Sequence, residues 1–162
     1  METAKIRNSQ KNICEDCRAI VSEGKIGCQK MFEEVIAREF GDYRYGRIHR
    51  LTVDVYCMQH PNPYLRSGKS FAAHLTGLCS ALEYENSLDI NRLVQKWLST
   101  NPKINKPAQL PKHFGDLTID YVHSAVNAEE HLERVRQWAI SVWNAWSEHH
   151  SLADQLIKQA NS

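Results

Sequence analysis

Cysteine and histidine carry the chemical signal in this sequence: five cysteines and eight histidines stand among 162 residues. Cys14 and Cys17 form a CxxC pair, and Cys28 follows with ten residues between. A CxxC turn directs two thiolates at one ion, and tetrahedral zinc takes four sulfur or nitrogen ligands. A third cysteine at the start of a helix strengthens the reading, because a helix N-terminus favours the thiolate. Five is odd, so the thiols cannot all pair within one chain. In a reducing compartment a close Cys pair more often serves metal or redox chemistry. No second CxxC supplies the fourth ligand.

Helix geometry nominates His60. If residues 29–40 and 47–60 form an antiparallel helical hairpin, its turn centres near residue 43 or 44. Cys28 and His60 are then displaced by about 16 residues on either side, which places them at one height at 1.5 Å per residue. Cys14, Cys17, Cys28 and His60 are thus predicted to form a Cys3His zinc site at the hairpin's open end. The competing readings are unrelated buried thiols, since free cysteine is commonly buried, and a thiol–disulfide pair at Cys14 and Cys17. The second is weakened because this CxxC does not open a helix after a strand.

A second constellation is histidine on apolar faces. His49, His74 and His131 could converge inside a helical bundle and leave an open metal position, as in a metal-dependent enzyme. Asp54 could orient a ligand or act as a base. A core histidine satisfied by one hydrogen bond is the simpler reading of each. Cys57 and Cys79 read as small core residues. Trp138, Trp143 and Trp146 read as core rather than as a stacking platform, and His149-His150 as a frayed or solvated helix end. No phosphate-binding glycine loop, GxSxG or HExxH occurs.

The elements that must position these groups are helical. Residues 29–40 place Met31, Phe32, Val35, Ile36 and Phe40 at helical spacing. Residues 47–60 fit both periods: Ile48, Leu51, Val55 and Met58 fit a helix, while Leu51, Val53, Val55 and Cys57 alternate as in a strand. A helix is predicted, because no partner strand is evident and a lone strand leaves its backbone groups unpaired. Residues 70–84 follow with Ser70 as N-cap, then 89–98, then a proline-bearing crossing loop over 99–117. Gly77 inside the third of these helices costs about 1 kcal/mol relative to Ala, so a close helix contact is expected there. Thr118 caps a short helix, 119–126. Asn127 and Glu130 resemble a capping box opening a Trp-rich helix that continues past His149 to about 158. The expected architecture is all-α: a polar, loose segment 1–12, then a single-domain helical bundle over 13–160 with five to six helices and an N-terminal zinc knuckle.

Composition narrows the function classes. Basic and acidic residues number 20 and 19, giving a net charge of +1, so there is no general electrostatic footprint for nucleic acid. No apolar run approaches the roughly 20 residues of a membrane span. The polar start METAKIRNSQKN has no apolar core of a secretory signal, so a cytoplasmic location is expected. Partners are not specified; a protein partner or a second copy of the chain remains open.

The run Tyr45 to Asp54 (YGRIHRLTVD) with Gln59-His60-Pro61, the run Lys69 to Cys79 (KSFAAHLTGLC), and Val142 to Trp146 (VWNAW) together resemble a bacterial family of small CxxC proteins, a domain of unknown function. The likeness covers most of residues 14–150. It implies that the cysteine trio, the His-containing helix and the Trp-rich helix belong together, and it implies no reaction.

Overall fold

A computed structural model describes residues 12–162, and the expected loose segment 1–12 lies almost wholly outside them. The fold is all-α, with six helices of seven or more residues. With three shorter ones, the helices of the described residues are, in chain order, α1 (Lys25–Gly41), α2 (Tyr43–Gly46), α3 (His49–Gln59), α4 (Pro61–Tyr64), α5 (Gly68–Glu83), α6 (Ser87–Leu98), α7 (Ile119–His123), α8 (Ala128–Ala145) and α9 (His150–Ala160). A single 3₁₀ turn, Ser147–His149, separates the last two.

Helix α3 is the centre of the molecule. It packs on α5 and α8, and more lightly on α1. Leu51, Thr52, Asp54, Val55, Tyr56, Cys57, Met58 and Gln59 are all buried. A helix buried nearly all round shows no clean amphipathic stripe, which is why its sequence satisfies a strand pattern as well. Helix α1 turns back on α3 through the short α2, giving the predicted hairpin. Its buried face runs Cys28, Phe32, Val35, Glu39, spaced by four, three and four as one helix face requires.

Several boundaries differ from expectation. Helix α1 begins at Lys25, so Cys28 sits within its first turn rather than before it. The cap of α5 is Ser67, whose hydroxyl accepts the Ser70 N–H at 3.0 Å; Ser70 is the third helical residue. Gly68 follows the cap because a Cβ there would lie 1.6 Å from the Ile104 carbonyl of the crossing loop. That loop carries no helix or strand between residues 101 and 117. It is held from inside by Gln59, whose amide donates to the carbonyls of Phe114 and Leu117 at 3.1 and 2.7 Å.

The capping box at α8 holds: the Asn127 side chain accepts from the Glu130 N–H at 2.8 Å, and Glu130 reaches back to the N–H of Val126. The Trp-rich helix, in contrast, does not run through His149. It stops at Ala145, and the 3₁₀ turn redirects the chain so that α9 packs on α5 and α6. His149 and His150 are therefore not a solvated end. His150 stacks on Trp143 with ring centroids 3.7 Å apart, and its Nε2 bonds the Trp143 carbonyl at 2.7 Å. His149 meets Phe71 and Trp146 edge-on.

The tryptophans are core, as expected. Trp138, Trp143 and Trp146 are buried. Each indole N–H donates: Trp138 to Gln59 Oε1 at 2.9 Å, Trp143 to Glu83 Oε1 at 3.0 Å, and Trp146 to the Met58 carbonyl at 3.0 Å. Buried indoles satisfied in this way fix the register of α8 against α3 and α5.

Candidate metal centre

The segment ahead of α1 folds into a tight loop. The Cys14 N–H donates to the Ala19 carbonyl at 2.9 Å, and the Arg18 N–H to the Cys14 carbonyl at 2.8 Å. An isolated antiparallel bridge joins Ile13 to Ile20. Arg18 takes a left-handed conformation, φ 67°, which lets the chain reverse immediately after the second cysteine. Both thiols consequently face inward, against the first turn of α1 and the last residue before α4.

There they meet Cys28 and His60. One donor atom from each of Cys14, Cys17, Cys28 and His60 lies within 4.8 Å of all the others, and all four residues are buried. Cys17 Sγ is 3.7 Å from Cys28 Sγ; His60 Nε2 is 3.5 Å from Cys28 Sγ and 3.8 Å from Cys14 Sγ. This is the one cluster of three or more His, Cys, Asp or Glu side chains so placed among the described residues. The group could hold a metal ion.

Its surroundings prepare each donor. His60 Nδ1–H donates to the Tyr56 carbonyl one turn earlier at 2.7 Å, which leaves the Nε2 lone pair facing the sulfurs. The ring lies on that of Tyr56, centroids 3.9 Å apart, and Tyr56 in turn stacks on Phe32 at 3.8 Å and 2°. The Ala19 N–H approaches Cys17 Sγ at 3.4 Å and the Tyr56 hydroxyl approaches Cys28 Sγ at 3.6 Å. Both donors stabilise thiolate sulfur.

Three thiols this close cannot ionise independently. Hydrogen bonds from Cys17 and Cys28 hold the Cys14 thiol below its ordinary value. The same contact with Cys14 pushes Cys17 up, and pushes Cys28 up to about 12. A bound cation would favour the thiolate form of all three. Cys57 and Cys79 lie apart from the cluster, and burial pushes their thiols up to about 12 and about 11, as suits inert core cysteines.

The other predicted histidines do not meet at one point. His49 and His131 converge on a residue that the sequence reading passed over, Glu39. His49 Nδ1 donates to Glu39 Oε1 at 3.0 Å, His131 Nε2 to Glu39 Oε2 at 2.8 Å, and the Thr52 hydroxyl to Oε2 at 2.6 Å. The carboxylate is wholly buried and ties α1, α3 and α8 together. Its signal was present: it occupies the next turn of the stripe Cys28, Phe32, Val35. His74 stands elsewhere, with Nδ1 on Asp54 Oδ1 at 2.9 Å. The open three-histidine metal site is thereby lost as a single centre, because its members bind two different carboxylates.

No helix among the described residues is long and apolar enough to cross a membrane. No curated protein and no solved structure matches the chain. A family does: its match runs over residues 12–147, from just before the first cysteine to just past the last tryptophan, enclosing the whole Cys3His cluster and the Glu39 network. The chain belongs to that family, described as a family of unknown function (DUF5946).

Proposed function

We propose that the cluster is a structural zinc site, and that the protein is a zinc-stapled helical module with an interaction or regulatory role. The donor set carries this reading: four protein donors, all buried, lie within 4.8 Å of one another, enough to fill a tetrahedral shell. Structural zinc is four-coordinate through protein ligands, whereas catalytic zinc keeps an open position.

Size supports zinc. A tetrahedron with Zn–S near 2.3 Å and Zn–N near 2.0–2.1 Å has S···S edges of about 3.8 Å and S···N edges of about 3.5 Å. Three of the six separations here are 3.7 Å for sulfur–sulfur and 3.5 and 3.8 Å for sulfur–nitrogen, and the other three lie within 4.8 Å. Three thiolates and an imidazole are also the wrong donors for magnesium or calcium, which take oxygen. The ion would fasten the Cys14–Ala19 loop to the open end of the α1–α3 hairpin, adding to the burial of Ala19 and the Lys25–Asp16 ion pair.

Metal analysis of protein purified from zinc-replete cells tests the reading. One zinc per chain is the expected result. Folded protein that neither carries zinc nor takes it up from solution would overturn it.

A further inference from the structure

We propose that the cleft between α3, α5 and α6 is a binding site for a small organic anion, in which His74 contacts the ligand and Asp54 positions His74. The proposal does not depend on the metal reading. The cleft holds about 610 Å³ and is lined from all three helices, a size suited to a small-molecule ligand.

Its floor is an Arg–Asp–His chain whose central carboxylate is buried, with Arg50 and His74 reaching it from the cleft side. The Asp54 side chain is 2% exposed, with Oδ2 accepting from Arg50 Nε and Oδ1 from His74 Nδ1, both at 2.9 Å. With Nδ1–H donating to the carboxylate, Nε2 carries the lone pair. Nε2 takes no hydrogen-bond partner among the described residues, and the His74 side chain, 20% exposed, lines the cleft. Helix α5 is shaped around this arrangement. A Cβ at Gly77 would lie 2.1 Å from Asp54 Oδ2 and 3.2 Å from an Arg50 terminal nitrogen. A mid-helix glycine and a desolvated carboxylate both cost stability, and a buried ion pair is weak support for a fold. The combination is better accounted for by what it presents, an oriented imidazole at the wall of a cleft.

The charge of the walls selects the ligand. Arg50 and Lys69 stand against the single Asp54 carboxylate, and α6 contributes the neutral Asn91 and Gln95. Among the described residues Lys69 is engaged only by the Asn101 side-chain oxygen at 3.3 Å. Val53, Ala73, Val94 and Leu98 supply an apolar wall. An anion with a short apolar body satisfies both halves: its charged end at Lys69, a hydroxyl or protonated oxygen at His74 Nε2, and its body on Val94 and Leu98.

Phenyl phosphate and benzoate serve as probes on the full chain, distinguishing a phosphate end from a carboxylate end. Binding is read by long-range ¹H–¹⁵N spectra of the imidazoles. In free protein, His74 should show protonated Nδ1 and unprotonated Nε2. Saturating probe should shift Nε2, and Lys69→Ala should weaken binding about tenfold, the loss of one charge-assisted contact. Lys69 is exposed, and an unchanged thermal midpoint would verify that this variant is folded. Asp54→Asn should change the His74 tautomer signature as well as the affinity, which a merely structural role would not do. Saturable binding of either probe, lost in step with Lys69→Ala, supports the site. No saturable shift with both probes, equal affinity in Lys69→Ala, or a His74 protonated at Nε2 in free protein would overturn it.

Discussion

Replacing His60 with alanine separates a metal ligand from a well-packed core histidine. The residue is 2% exposed and stacked on Tyr56, so truncation leaves a cavity and destabilises the protein with or without metal. The informative quantity is therefore the increment that zinc adds. If free zinc is held at a thousand times the dissociation constant, the folded state of the native protein gains about 4 kcal/mol. For a chain of this size each kcal/mol moves the midpoint by about 2–4 °C, so zinc should raise it by roughly 8–16 °C. Loss of one of four donors should remove most of that increment in His60→Ala. His49→Ala should keep it, because His49 Nδ1 is committed to Glu39. The assay is a pair of thermal melts for each protein, after chelation and in buffered zinc, with a chelator competition to rank affinities. An undiminished zinc increment in His60→Ala, or loss of the increment in His49→Ala alone, would refute the assignment.

Cys17→Ser should lower both zinc content and midpoint, while Cys79→Ser, at an isolated core thiol, should leave zinc content intact; metal analysis alongside melting distinguishes them. Because zinc displaces protons from thiols, affinity should fall as pH falls, which chelator competition at two pH values would show. Glu39→Ala leaves the donors of His49, Thr52 and His131 without their shared acceptor, so urea unfolding should show a loss of about 3–5 kcal/mol. Gly77→Ala should destabilise by about 1–3 kcal/mol despite the better helix former, because the added methyl meets Asp54, and the same unfolding experiment reads it. Burial holds the His149 imidazole below its ordinary value. The unfolded chain then binds that proton more readily, so this residue's contribution is constant above about pH 6.5 and stability declines as pH falls below it. The midpoint gap between native protein and His149→Gln should shift in favour of the variant between pH 7.5 and 5.5.

Local signals determined much of this protein. The α1 face through Phe32 and Val35, the Asn127 cap and the position of the Trp-rich helix follow from side-chain spacing and capping chemistry, which act over a few residues; the same face ends on Glu39, and Phe40, expected on it, is exposed. The Cys3His cluster was also legible. CxxC is a local turn, and an antiparallel hairpin converts sequence distance into height, so Cys28 and His60 met where helix rise placed them. Other features arose only from packing between elements distant in sequence. Ser67 rather than Ser70 caps α5 because the crossing loop needs Gly68 beside Ile104. The final helix breaks at Trp146 because α9 finds its apolar partners on α5 and α6. The histidines were recognisable as lying on helix faces that pack, but their partners were not. An imidazole takes whichever acceptor the fold brings within about 3 Å, and here Glu39 stands 92 positions from His131 while Asp54 stands 20 from His74. Side-chain type limits what a group can do; only tertiary packing decides which carboxylate it meets.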